Sequence, residues 1–325
     1  MSSVPAVAAP EQLRLVVTAR SEIARDIVSF ELRDPARADL PKFSAGAHIA
    51  LRAPNGRERK YSLCNDPQER DRYVIAVKRE NAGTGGSASL IDDAKPGARL
   101  EAIAPRNDFA LPPRASDFLF IAGGIGITPI MAMVRHLKSV GTARFKLYYC
   151  TRSPEETAFL DELSAPEYRG HVVFHHDHGD PGRYLDPWPL LERPTGAHVY
   201  CCGPRSMLEA VRDMTGHWSS GKVHFESFAD AAAIRTSRDR PFRVRLARSG
   251  FVVDVGADQS ILEALRAAGL TVPSSCESGT CGTCRTRLVA GVADHRDLVL
   301  SDAERESDVM VCVSRAVSDE LTIDR

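Results

Sequence analysis

Ser274-Ser275-Cys276-Glu277-Ser278-Gly279-Thr280-Cys281-Gly282-Thr283-Cys284 places three thiols on one loop, and Val309-Met310-Val311-Cys312-Val313 supplies a fourth from an apolar run. The spacing is C-x4-C-x2-C, with the fourth cysteine after a further 27 residues. Thiolates grouped this way suit a metal centre, and the loop composition suits a buried anion. Gly279 and Gly282 permit the backbone angles that turn N–H groups toward the sulfurs. Ser275, Ser278, Thr280 and Thr283 add hydroxyl donors. Without such donors, burying the charge would be costly.

The spacing of Cys276, Cys281, Cys284 and Cys312 is the plant-type arrangement for a [2Fe–2S] cluster, in which four thiolates complete the tetrahedra of two irons and two sulfides. Structural zinc usually shows paired C-x2-C knuckles or His partners. Only one C-x2-C occurs here. A disulfide framework fits less well, because the N-terminus lacks a basic region followed by an apolar one. Such a cluster moves one electron at a time, so a source of electrons is expected elsewhere in the chain.

A chain of 325 residues suggests two or three domains. The formal net charge of −1 gives no basic field for nucleic acid. The longest apolar stretch, Phe118 to Val134, is broken by Gly123, Gly124, Gly126 and Pro129. It reads as strand, turn and helix, not as a membrane span. Residues 1–10 read as a frayed tail. Four further cysteines are Cys64, Cys150, Cys201 and Cys202. The adjacent pair Cys201–Cys202 would point to opposite faces of a strand, which disfavours a bridge between them. The expectation is a protein of the reducing cytoplasm.

Three segments differ in pattern. To about Leu111, short alternating runs with frequent turns (Leu13–Thr18, Ile27–Leu32, His48–Arg52, Tyr73–Lys78) read as an antiparallel barrel. From about Asp117 to Phe228, apolar strands at Phe118–Ala122, Phe145–Cys150, Val172–His175, His198–Cys202 and Lys222–Phe228 alternate with helix-like stretches. That is the parallel βαβ rhythm of a nucleotide-binding fold. From about Pro241, two strands and a helix (Ile261–Ala268) precede the metal loop. The expected boundaries are 1–112, 113–228 and 241–325, with 229–240, small and charged and lacking apolar periodicity, as linker.

Arg59-Lys60-Tyr61-Ser62-Leu63 follows the turn Pro54-Asn55-Gly56. On a strand, Arg59 and Tyr61 share one face and Ser62 lies on the other. Tyr61 can lie against a flavin ring, Ser62 can hydrogen-bond near its N5, and Arg59 can hold phosphate as a fork. Residues 81–90, Gly-rich through Gly83, Gly85 and Gly86, open into a helix expected at Ser87–Asp92, whose start offers free N–H groups to phosphate.

The run Phe118-Leu119-Phe120-Ile121-Ala122-Gly123-Gly124-Ile125-Gly126-Ile127-Thr128-Pro129 reads as strand, glycine turn and helix. Glycines admit a pyrophosphate, and the helix N-terminus stabilises its charge. Thr128 either bonds phosphate or caps the helix. Cys202 ends a later strand just before Gly203-Pro204, at the edge where open α/β sheets bind ligands, and can meet the nicotinamide or be a buried small residue. His175-His176-Asp177-His178 alternates faces and so chelates poorly, whereas Asp177 suits a place near the nucleotide. Glu155 and Glu156, after Thr151-Arg152, would repel a 2′-phosphate that Arg152 could accept; the balance leans to NADH over NADPH.

These motifs in this order, R-x-Y-S, G-G-I-G-I-T-P, C-G-P and the cysteine loop, resemble the phthalate dioxygenase reductase family, the reductase components of Rieske oxygenase systems. The likeness runs from about Leu13 and includes the stretches Arg59–Asp66, Pro273–Cys284 and Asp294–Leu300. It implies a multidomain α/β and β protein with an antiparallel flavin-binding β-barrel, a ferredoxin-reductase-like parallel-sheet nucleotide domain and a C-terminal plant-type ferredoxin β-grasp domain. The resemblance makes the flavin FMN, touched by Arg59, Tyr61 and Ser62, with Lys78, Gly86 and Ser87 near its phosphate. Gly123, Gly124, Gly126, Thr128, Thr151, Asp177 and Cys202 would line the NADH site, and Phe225 and Glu226 the flavin–nicotinamide junction. The implied partner is a terminal Rieske-type oxygenase acting on an aromatic acid, met by a monomer, with no membrane and no nucleic acid involved.

No general acid, base or nucleophile is required, and none is nominated. Two other readings use the same residues. A flavin and iron–sulfur reductase could serve a P450 or a separate ferredoxin, with Glu277, Ser278, Arg285 and Arg287 as the surface met by the acceptor. A zinc-stapled or iron-sensing protein with a vestigial nucleotide fold would be colourless or lack flavin.

Overall fold

The computed structural model describes residues 11–81, 83–141, 143–228 and 234–325. The chain folds as two compact units, one running to Leu185 and one from Asp186 to Arg325. The expected tail at 1–10 and residues 229–233 of the expected linker lie outside the described residues.

The first unit opens with six antiparallel strands, β1 (Gln12–Ala24), β2 (Ile27–Arg33), β3 (His48–Arg52), β4 (Glu58–Ser62), β5 (Tyr73–Lys78) and β6 (Arg99–Arg106), ordered β4-β3-β6-β1-β2-β5. An antiparallel bridge between Leu63 and Ile75 joins the two edges, so the sheet closes as the alternation predicted. Inward residues Leu15, Val17, Phe30, Leu32, Ile49, Leu51, Ile75 and Val77 fill it with Leu90 and Ile91 of helix α1 (Gly86–Asp93).

The same unit continues with parallel strands β7 (Asp117–Gly123), β8 (Arg144–Thr151) and β9 (Val172–His176). Between β7 and β8 runs helix α2 (Ile127–Val140), buried at every position from Ile127 to Val134 and ended by Gly141 at φ 69°. A short turn of helix, α3 (Leu160–Leu163), precedes β9.

The second unit begins with α4 (Trp188–Leu191), then parallel strands β10 (His198–Cys202) and β11 (Val223–Glu226) flanking α5 (Arg205–Met214). A five-stranded sheet follows, ordered β13-β12-β18-β14-β16, from β12 (Phe242–Leu246), β13 (Val252–Val255), β14 (Arg285–Ala290), β16 (Asp308–Met310) and β18 (Glu320–Ile323). Strands β15 (Ala293–Asp294) and β17 (Arg315–Ala316) pair separately, and α7 (Asp302–Arg305) is a single turn. The parallel β12–β18 pair and helix α6 (Ile261–Ala267) complete a β-grasp. A capping box starts α6, with Ser260 Oγ accepting from Glu263 N–H at 3.1 Å and the Glu263 carboxylate accepting from Ser260 N–H at 2.7 Å. Its Ile261, Leu262 and Leu265 pack into a core with Val244, Val309 and Leu321.

Two readings shift in detail. The apolar run around Cys312 is not one continuous element: β16 ends at Met310, and Cys312 lies in the turn just after it. Residues Val309–Val313 are buried throughout, so their continuous apolarity marks a wrapped turn under α6, whose Leu262 N–H donates to Val311 O. The latter half of the linker stretch is docked. Arg235 pairs with Glu263 at 2.6 Å, and Asp239 takes two hydrogen bonds from Arg296, at 2.7 and 3.0 Å.

Candidate flavin, nucleotide and cluster sites

On β4, Arg59 donates to Thr84 Oγ1 in the Gly-rich loop. Gly85 takes φ 83° and caps α1, and Asn55 Nδ2 holds the Gly85 carbonyl at 3.1 Å. Gly86 is buried under Arg59, and a Cβ there would lie 3.2 Å from Arg59 Cγ. Ser87 Oγ accepts from Glu80 N–H at 3.0 Å, which brings the segment after Lys78 to the helix start. Lys78 itself is half-buried at the end of β5, opposite Ile27. A guanidinium, a hydroxyl and the first N–H groups of a helix thus converge, as a phosphate cradle requires.

Beside this cradle, Tyr61 Oη and Ser62 Oγ are buried without a hydrogen-bond partner among the described residues. Burial pushes the Tyr61 phenol up to about 12, against the opposing charge of Arg59. Buried hydroxyls are ordinarily satisfied. Two orphans on one strand next to an anion cradle fit a flavin, whose ring edge carries donors and acceptors. Thr84 and Asn55 escaped the sequence reading, although both sit in turns it singled out.

The glycine turn after β7 forms one 3₁₀ turn, Gly124–Gly126, with Gly124 at φ 52°, and leads directly into α2. Pro129 is the third residue of that helix. Thr128 does not cap the helix: its buried hydroxyl donates to Ile125 O at 3.0 Å. Thr151, at the carboxyl end of β8, is buried, with its hydroxyl 2.7 Å from Thr157 Oγ1 and 2.9 Å from His176 Nδ1. Asp177 follows β9, and its carboxylate accepts from Gly179 N–H. His175 faces the other way, toward Arg183 O at 2.7 Å, so the histidines separate as strand alternation dictates. Among the described residues, no three His, Cys, Asp or Glu side chains gather around one ion position.

In the second unit, Cys202 pairs with Glu226, and Cys201 with Phe225, at the carboxyl ends of β10 and β11. Cys202 is fully buried, and burial first, then Glu226, pushes its thiol well up.

The cysteine loop carries Glu277, Gly279 and Gly282 at φ 57°, 77° and 83°. Backbone N–H groups of Ser278 and Thr280 each donate to Cys276 Sγ at 3.4 Å, and Cys276 N–H donates to Cys281 Sγ at 3.5 Å. Cys281 lies beside Cys276, and Cys312 beside Cys284, so the four thiols fall into two neighbouring pairs. One ion would need three or four ligands around a point, whereas two irons need two thiolates each. The donor set and its pairing fit a [2Fe–2S] cluster. Ser278 is buried, so it is not part of an exposed surface, and Glu277 is tied to Arg266 at 2.8 Å. Arg285 is held by Glu304 and Asp308.

Residues 14–110 match the family model described as an oxidoreductase FAD-binding domain, 120–213 an oxidoreductase NAD-binding domain, and 244–317 a 2Fe-2S iron-sulfur cluster binding domain. The chain is 56% identical to phthalate dioxygenase reductase of Burkholderia cepacia over 313 residues, 96% of this chain and 97% of that one. It belongs to the phthalate dioxygenase reductase family. Phenoxybenzoate dioxygenase subunit beta of Ectopseudomonas oleovorans is 48% identical, covering 99% of each chain. A solved phthalate dioxygenase reductase, described as a modular structure for electron transfer from pyridine nucleotides to [2Fe-2S], superposes with a TM-score of 0.70 at 55% identity, over 97% of this chain and 98% of that one. An intact type IV self-sufficient cytochrome P450 monooxygenase superposes with a TM-score of 0.71 at 39% identity, over 97% of this chain and 41% of that one. As a member of this family the chain is an oxidoreductase that draws on NADH, flavin and a [2Fe–2S] cluster. Among the described residues, no helix is long and apolar enough to cross a membrane.

Proposed function

We propose that this chain carries electrons from NADH through FMN and the [2Fe–2S] cluster to the terminal Rieske-type oxygenase of an aromatic-acid system. The observation that carries the reading is a cysteine loop whose backbone N–H groups point at its sulfurs, on the same chain as a barrel with an anion cradle and two buried hydroxyls beside it. Identity of 56% to a phthalate dioxygenase reductase supports the acceptor class.

Each side chain has a distinct task. Arg59, with the N–H groups at Gly86 and Ser87, holds the flavin phosphate, and Lys78 adds charge beside it. Tyr61 covers the ring, and the Ser62 hydroxyl bonds its polar edge. The Gly123–Gly126 turn admits the pyrophosphate of NADH at the start of α2. Thr128 braces that turn through Ile125 O, and Thr151 and Asp177 line the ribose side. Backbone N–H groups around Cys276 offset the negative charge of the cluster. FMN held by these residues would supply the change from two-electron to one-electron transfer, and the cluster held by the four cysteines would supply one-electron transfer. No side chain needs to act as acid, base or nucleophile.

The domain boundaries are 1–112, 113–228 and 241–325, with 229–240 between, and the protein works as a cytoplasmic monomer that meets its oxygenase transiently. A P450 acceptor is the second reading, favoured by the 39% identity to part of a self-sufficient P450 monooxygenase.

An anaerobic visible titration with NADH tests the reading. Flavin and cluster bands that both bleach, with FMN released by acid, support it. A protein that binds zinc and no flavin after expression with ample iron overturns it. Activity with a P450 and none with a Rieske oxygenase selects the second acceptor.

A further inference from the structure

The stretch Asp294–Leu300, part of the sequence likeness but given no task so far, lies between two functional elements of the second unit. On one side it supports the cluster loop. Leu298 N–H donates to Gly279 O at 2.9 Å, the Asp297 Cα would lie 3.1 Å from a Cβ on Gly279, and Val299 Cγ1 3.7 Å from one on Gly282. Asp297 is buried, and its carboxylate accepts from Val299 and Leu300 N–H at 3.1 and 2.8 Å, which folds the stretch back on itself.

On the other side, three guanidiniums take the carbonyls of this stretch. Arg205, the first residue of α5 and the one directly after Cys202-Gly203-Pro204, donates to Arg296 O at 2.8 Å. Arg212, two turns along the same helix, donates to Leu300 O at 3.3 Å, and Arg305 to Asp297 O at 2.9 Å. The Arg296 side chain meanwhile grips Asp239, Asp294 and Ile234 O. Charge-assisted hydrogen bonds to carbonyls are among the stronger polar contacts available.

We propose that Arg296–Leu300 is a latch that fastens the cluster loop to helix α5, and that Arg205 and Arg212 are positioning residues for electron transfer into the cluster. They touch neither nucleotide nor thiol. They act by holding the carbonyls of the stretch that holds Gly279, and electron transfer is sensitive to such placement. The inference rests on the reductase reading.

The test uses the holoprotein with R205A and R212A combined, and R205K as the conservative control. Hydrogen exchange is read at Leu298, Val299 and Leu300, and single-turnover absorbance under anaerobic NADH is read at flavin and cluster bands. The expected result is faster exchange at those amides, unchanged iron content, flavin bleaching within about twofold of the parent, and cluster reduction slowed about tenfold or more. R205K recovers most of the loss, because an ammonium still reaches Arg296 O. Unchanged exchange, or cluster reduction at the parental rate, overturns the latch. Loss of iron from the double variant would also overturn it, by making the contacts a matter of stability. Failure of the parent protein to bleach with NADH would instead sink the reductase reading.

Discussion

Gly279 lies flat against Asp297. A Cβ on the glycine would come within 3.1 Å of the Asp297 Cα and 2.7 Å of Val313 Cγ2, and the Leu298 N–H donates to the Gly279 carbonyl. The glycine also holds φ 77°. Gly279→Ala therefore meets both a left-handed backbone cost of about 1–2 kcal/mol and an overpacking cost of about 1–3 kcal/mol. The expected outcome is a protein that retains flavin but loses most of its cluster, checked by iron content and by visible absorbance.

Arg59 and Ser62 separate two ways of meeting a flavin. Arg59→Ala removes a charged donor from the cradle and is expected to weaken FMN binding by about 1.5–3 kcal/mol, tenfold or more in Kd, measured by fluorescence titration. Ser62→Ala removes a buried hydroxyl that has no partner among the described residues. In flavin-stripped protein it should be neutral or stabilise by about 1 kcal/mol, while flavin reduction by NADH slows. A Ser62→Ala variant that destabilises the stripped protein would contradict this.

Arg135 on α2 donates to Cys64 O, two residues beyond Ser62, at 2.7 Å and also to Glu162 at 2.9 Å. The flavin strand and the nucleotide helix of the first unit are thus tied by one guanidinium. Because the Glu162 carboxylate keeps 36% exposure, breaking the pair costs less than in a dry core. Arg135→Leu is expected to cost about 2 kcal/mol, read as a lowered urea midpoint.

His198 Nδ1 and His224 Nε2 lie 3.0 Å apart, and Tyr200 stacks on His224 at 4.3 Å. Burial, then His198 and Lys222, lowers His224 from 6.5 to about 4. The folded state therefore refuses a proton that the unfolded chain takes up below 6.5. This contribution is intact above pH 6.5 and is lost as the pH falls toward 4. His224→Phe keeps the stacking and should remove about 1–2 kcal/mol of that acid loss, seen by comparing urea midpoints at pH 7 and pH 4.5.

Much of the three candidate sites was legible because the signals are local. Glycine and cysteine spacing speak for backbone angles and ligand geometry within a single loop. Arg59 and Gly86 met because a strand and a nearby helix start are each readable by period and composition. Whether Thr128 caps its helix was not readable: a hydroxyl at the second helical position can cap or bond back, and only the path of the chain at Ile125 set the hydrogen bond it makes. Ser278 looked like surface from its chemistry, yet the loop turns it inward beside Thr280.

By itself the sequence determined the candidate cysteine set Cys276, Cys281, Cys284 and Cys312, the alternation of the first strands and the strand–turn–helix at Gly123–Thr128, because each follows from spacing along a few residues. Only the tertiary structure decided which arginines hold which carbonyls. Arg135 on Cys64, Arg205 on Arg296 and Arg212 on Leu300 join residues 71, 91 and 88 positions apart. Arginine carries no local mark of its partner, since a long flexible cation suits solvent as well as a distant carbonyl. Only the packing of α2 and α5 brings the acceptors within reach.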